Sequence, residues 1–367
     1  MKKKNCIIVS IIIVGLILSG YFSYSNYHKK VFFSQYLRDH PENVSILLKN
    51  EQQTLLKWQA DKPVELASVA KIIVGIEYAR QVHEGKIDCN QMVALSDLNV
   101  YRMDKLDGGA QEAWEKEMKN QNKIENDKVA LKDIATGMID FSSNANFEYL
   151  IQLLGLDNIQ EMLDSLHLKH HEKIFPFFSA IYVPKEVSLK KNIPIDEAIK
   201  EFKIMPHEEV ADYAIQIHEK LAQDQDDTYR KKLAIDSWYN EDVDNIVSQN
   251  MVKASASDYA TILEKINNGD LPGEKYLREI MESPMKSKGN QKEYQHLGFK
   301  GGSTNSVLNT TMYAEAKDGN KITLVVFIHD ISKEEYPQLE KNLPYAIEQL
   351  VSNSENYVQK IKSVLES

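Results

Sequence analysis

The chain of 367 residues is poor in cysteine, with only Cys6 and Cys89. Cys6 opens an N-terminal apolar segment, so the rest of the chain has one thiol and no internal disulfide can staple it. A domain of this length buries enough apolar surface to do without one. Positive charge is also short, with 44 lysines and arginines against 54 aspartates and glutamates. Five of those bases lie in residues 1–30, which hold no acid, so the remainder carries 39 bases and 54 acids, a net charge of −15. Such a surface repels polyanions, and no nucleic-acid partner is expected. The sequence has no repeat of fixed period, which excludes solenoids and propellers. His170 and His171 are adjacent, but no third ligand follows at metal-binding spacing. They read as exposed loop histidines, and neither a metal nor another cofactor is expected. Trp58, Trp114 and Trp238 are dispersed and are assigned to packing.

One long apolar run is present, at residues 6–22, and it is of membrane-spanning length. Lys2, Lys3 and Lys4 precede it, and Lys29 and Lys30 follow. The sequence around Ser19 and Gly20 lacks a small-x-small cleavage site, which favours an uncleaved signal anchor over a removed signal peptide. Cys6 precedes the run, whereas a lipoprotein cysteine follows one. Basic residues ahead of the span place the N-terminus in the cytoplasm and the remainder outside the cell membrane. The expected division is 1–30 as cytoplasmic tip and signal anchor, 31–43 as a stalk or first helix, and 44–367 as one folded domain.

Three short motifs stand in order within that domain. Ser68-Val69-Ala70-Lys71 opens an apolar helix expected over residues 69–81, with Gly85 as its stop. That helix is apolar nearly all round and should be buried at the centre of the fold. Ser68 then sits at a helix N-terminus, where free N–H groups and the positive dipole end favour a developing oxyanion. Lys71 lies one turn on along the same face. Burial disfavours its charged form, so it can take a proton from the Ser68 hydroxyl. Ser142-Ser143-Asn144 connects two amphipathic helical stretches, a setting that points side chains into a cleft. Lys300-Gly301-Gly302-Ser303 falls in a strand followed by two more, residues 308–316 and 321–329, joined by a turn at Asp318-Gly319. Each motif has a bland reading when taken alone. Ser68 or Ser142 can be a helix cap, Lys71 a snorkelling side chain, and Lys300 a solvated strand lysine before a glycine bulge.

The ordered set resembles the active-site-serine family of penicillin-binding proteins and class A β-lactamases, whose signature is S-x-x-K, S-D-N and K-T-G. The resemblance covers residues 44 to the C-terminus, about nine-tenths of the chain. It implies an α+β fold, with an antiparallel sheet flanked by helices beside an all-helical subdomain and Ser68 at their junction. It also implies roles. Ser68 is the nucleophile and Lys71 its base, and Ser142 relays a proton to the leaving group. Asn144, Lys300, Gly301 and Gly302 bind substrate. The N–H groups of Ser68 and Ser303 form the oxyanion hole.

Two departures from the signature bear on function. Gly301 stands where the family has a threonine or serine that helps hold a substrate carboxylate, with Ser303 or Thr304 as possible replacements. Residues 166–184 correspond to the loop that carries the deacylating glutamate of class A enzymes, and no E-x-x-L-N pattern occurs there. Its middle, residues 174–182, is apolar and aromatic, and Glu172 is its only acid. The expectation is a membrane-anchored extracellular serine hydrolase that forms a Ser68 acyl-enzyme on a D-alanyl peptide or ester of the cell wall, or on a β-lactam. An efficient β-lactamase and a non-catalytic sensor or scaffold are the alternatives. The charged helical residues 188–227 read as an elaborated lid with solvated faces.

Overall fold

The computed structural model describes residues 31–366 apart from 52, 104, 105, 353 and 354. The apolar run and its lysines lie outside the described residues. Among the described residues no helix is long and apolar enough to cross a membrane.

Two compact units are present. The smaller contains a helix at residues 31–39 and two C-terminal helices, Tyr336–Val351 and Glu355–Leu365. The larger, Ser45–Ile331, contains the three motifs. Its sheet has five strands: β1 (Val44–Asn50), β2 (Gln53–Trp58), β3 (Tyr294–Ser303), β4 (Leu308–Ala316) and β5 (Lys321–Ile328), in the order β2-β1-β5-β4-β3. The pairs β1–β2, β3–β4 and β4–β5 are antiparallel. This is the mixed helix-and-antiparallel-sheet architecture that the motif order implied.

Strand β3 is an edge strand, so one side of its backbone remains available to a ligand. In register, Lys300 faces Thr311, Gly301 faces Thr310 and Gly302 faces Asn309. Helix α1 (Lys71–His83) runs through the interior, with Ile72, Ile73 and Val74 fully buried and Ile76 nearly so. Each such side chain contributes about 1.5–3 kcal/mol through burial, which fixes the helix that carries the lysine. Its start differs from expectation. Ser68 lies in a short 3-10 turn, Ala67–Ala70, and the α-helix proper begins at Lys71.

Helix α2 (Asn144–Leu154) follows the second motif and packs against α1. The helical region after residue 182 includes Val183–Lys191, Ile195–Lys203 and α3 (His207–Ala222). A capping box between Ser255 and Asp258 starts the helix Ala256–Asn268.

Candidate active site

The 3-10 turn places Ser68 half-buried beside strand β3, and the close approach requires glycine on the strand. A Cβ on Gly302 would lie 2.6 Å from Leu66 O, 2.8 Å from Val69 N and 2.9 Å from Ser68 N. No side chain fits there. The strand at Gly302 is thereby brought against the Ser68 amide, with Ser303 the next residue along it. Gly301 differs, since a Cβ there would meet Phe299 and Asn309 O only at ordinary contact distances of 3.5–3.6 Å. Its lack of a side chain is not imposed by packing. Asn309 Nδ2 also donates to Glu65 O at 2.7 Å, tying β4 to the segment that enters the serine turn.

Lys71 is fully buried. Its Nζ donates to Ser142 O (2.5 Å) and Asn144 Oδ1 (2.8 Å), and lies 3.5 Å from Ser142 Oγ. Lys300, also buried, donates to Ser142 Oγ (2.8 Å) and Gly301 O (2.8 Å). Ser142 therefore stands between two lysines. Neither lysine has a carboxylate within ion-pair distance among the described residues. Desolvation, then the charge of Lys300, drives the Lys71 ammonium well below its usual range, and Asp107 and Glu148 pull it partly back. Burial lowers Lys300 to about 7, opposed by Asp140.

The second motif acquires its geometry from a division of labour. Ser143, not Ser142, caps α2, accepting from Asn146 N at 3.1 Å and donating to Gln111 Oε1 at 2.5 Å. That frees the Ser142 hydroxyl for the lysines. Ser142 has φ +62°, and Ala67, just before Ser68, has φ +47°. Two non-glycine residues in the left-handed region thus flank the groups that converge, a form of local strain sustained by the surrounding packing. With the Asn144 oxygen turned to Lys71 Nζ, its NH₂ group is directed elsewhere.

Phe178, within residues 174–182, packs against Lys71. Phe178 places its ring centroid 4.7 Å from Lys71 Nζ, with Phe147 at 5.8 Å. Glu172, the only acid of residues 166–184, accepts from Lys253 N at 2.8 Å, while its own N–H donates to Lys253 O. It is a tie to the Lys253 backbone, with His207 Nε2 3.8 Å from the same oxygen. His170 is exposed as expected, but His171 is half-buried against the Tyr259 ring.

Three residues at the site escaped sequence reasoning: Phe178, Glu148 and His218. Glu148 could have been found, because it lies four residues after Asn144 on the same face of α2. Nothing local in the sequence links His218 to it. Lys71, Ser142, Asn144, Lys300 and Gly301, by contrast, are linked by hydrogen bonds, Gly302 lies against the Ser68 backbone, and Ser303 follows it on β3.

A model of the β-lactamase enzyme family matches residues 29–347. Among solved structures, the fold is similar to the TLA-3 extended-spectrum β-lactamase, at 12% identity over 92% of this chain and 97% of that one, TM-score 0.52. The TLA-1 extended-spectrum β-lactamase is similar at 11% identity, covering 92% and 98%, TM-score 0.52. PBP-A matches at 13% identity over 86% and 96%, TM-score 0.49. No curated protein sequence matches significantly. The structural likenesses speak to fold alone, but the family match spans most of the sequence, and the chain belongs to the β-lactamase enzyme family.

Proposed function

We propose that the protein is a membrane-anchored, outward-facing serine hydrolase that acylates Ser68 and releases the acyl group slowly. The observation that carries this reading is Lys71, buried without a counter-ion among the described residues and bonded to Ser142 and Asn144 of the second motif. A lysine so placed gives up its proton more readily than an exposed one and can serve as a base. Its nitrogen takes the Ser68 proton as Oγ bonds to the substrate carbonyl carbon. The N–H groups of Ser68 and Ser303 receive the oxyanion. Collapse of the tetrahedral species breaks the bond to the leaving nitrogen or oxygen, and Ser142 passes the proton from Lys71 to that atom. Asn144 donates to the acyl-side carbonyl, and Lys300, while protonated, steadies negative charge near Ser142.

Slow release is supported by what lies over Lys71. The phenyl ring of Phe178 occupies that side, and Glu172 is engaged with Lys253. No carboxylate of residues 166–184 is thus positioned to activate water. Substrate is a D-alanyl peptide or ester of the cell wall, with β-lactams as mimics. Gly301, opposite the neutral Thr310, favours a donor whose carboxylate is absent or held elsewhere. Anchoring rests on the apolar run at residues 6–22 and its basic flank.

A fluorescent penicillin or fluorophosphonate applied to the purified protein tests the reading. Labelling is expected in the wild type and absent in Ser68→Ala. Equal labelling of both, or none of either, rejects it, and nitrocefin turnover at roughly 10 per second or faster rejects slow release.

A further inference from the structure

Four donors converge on one buried carboxylate behind the site. Glu148 is fully buried on α2. Its Oε1 accepts from Phe178 N (3.1 Å) and Ser179 N (3.1 Å). Its Oε2 accepts from Ser179 Oγ (2.9 Å) and His218 Nδ1 (2.6 Å). His218 comes from α3, is buried, and stacks on Tyr101 with ring centroids 4.9 Å apart and planes 10° from parallel. Its Nε2 has no hydrogen-bond partner among the described residues, so its polar contact with the protein is made through Glu148. A buried carboxylate with four donors is rigid, because losing any one leaves a desolvated charge underserved.

A structural loop anchor needs no particular neighbour, yet one N–H held here belongs to the residue whose ring covers the base. Asn144, which accepts from Lys71, and Glu148, which holds Phe178, stand four residues apart on one helix. The helix therefore fixes the lysine and its aromatic cover relative to each other.

We propose that Glu148 and His218 are positioning residues that clamp Phe178 over Lys71 and thereby set the lifetime of the Ser68 acyl-enzyme. The clamp keeps a phenyl ring where a hydrolytic water would need to stand beside the lysine, and it draws helix α3 into the control of turnover. This rests on the acyl-enzyme reading above. The two fail differently: no Ser68 adduct rejects that reading, whereas an adduct whose decay ignores the clamp rejects this one alone.

The experiment follows decay of the fluorescent penicilloyl adduct after excess ligand is removed, alongside the rate at which the adduct forms. Phe178→Ala is expected to speed decay about tenfold by admitting water. Glu148→Gln and His218→Phe, the second keeping a ring against Tyr101, are each expected to speed decay about fivefold, with formation changing less. The combination of Glu148→Gln with Phe178→Ala should decay no faster than Phe178→Ala alone, because both act through one ring. Ser179→Ala, which removes a single hydroxyl donor, gives about a twofold effect and serves if the other clamp variants do not fold. Unchanged decay in these variants, or independent multiplication in the double variant, overturns the proposal.

Discussion

Helix α1 carries two fully buried ionisable side chains less than two turns apart, Lys71 and Glu77, and they are treated in opposite ways. Glu77 is saturated: Arg80 Nε and Nη2 donate to it at 2.7 and 2.8 Å, and Gln81 Nε2 at 2.6 Å. Lys71 receives only a carbonyl, an amide oxygen and a distant hydroxyl, with a second lysine behind that hydroxyl. Glu77 is a charge the fold has neutralised for its own stability. Lys71 is one whose charge the fold works against, and such a group gains a proton readily only when chemistry supplies one.

The contrast breaks most sharply at its two ends. Lys71→Met should lower the rate of Ser68 acylation by about a thousandfold while leaving the thermal midpoint unchanged or higher, because a desolvated amine is replaced by an apolar chain of similar length. Glu77→Gln should do the reverse. It removes the buried one of the two carboxylates that Arg80 holds, Glu84 keeping the other, and costs roughly 2 kcal/mol of stability, with acylation per folded molecule retained. Paired denaturation and labelling curves check both. A Lys71→Met protein that acylates normally would put the base elsewhere.

A smaller effect separates the two glycines of the third motif. Gly302→Ala forces a methyl into the Leu66–Val69 backbone and should cut acylation about a hundredfold by displacing the oxyanion N–H groups. Gly301→Ala meets ordinary contacts and should change it by less than about threefold. Second-order labelling rates of the two variants decide the matter.

The smallest effect is a pH dependence. Lys300 loses its charge as pH rises through about 7, so acylation of an anionic substrate should fall across that range. Lys300→Arg should carry the falling limb above about pH 9, because a guanidinium keeps its proton far more firmly than an amine. Stability moves the other way. The unfolded lysine keeps its proton up to its usual 10.5, so between about 7 and 10.5 the unfolded chain binds more protons, and this residue makes the fold more stable as pH rises. Activity and stability profiles with the same slope in that window would contradict the assignment.

Much of this was legible in the sequence because the motifs are local. Ser68 and Lys71 share one helical turn, and the hairpin of β4 and β5 is announced by Asp318-Gly319, so periodicity and turn chemistry suffice. The order of the motifs supplied the architecture. Other features depend on contacts distant in sequence. Ser143, the cap in place of Ser142, has a partner at Gln111, and the 3-10 turn ahead of Lys71 is where Gly302 makes its close approach. The aromatic loop was read as lacking a base, but its distance from Lys71 could be known only once α2 and α3 had met at Glu148.

The central claim, a Ser68 acyl-enzyme that outlives its formation, is tested most directly by intact-mass analysis of the protein mixed with benzylpenicillin and quenched over a time course. The account predicts a single adduct of the penicilloyl mass, located on Ser68 by peptide mapping, absent from Ser68→Ala and still present long after free penicillin is removed. An adduct on another residue, or penicilloic acid accumulating rapidly with no adduct retained, would contradict it.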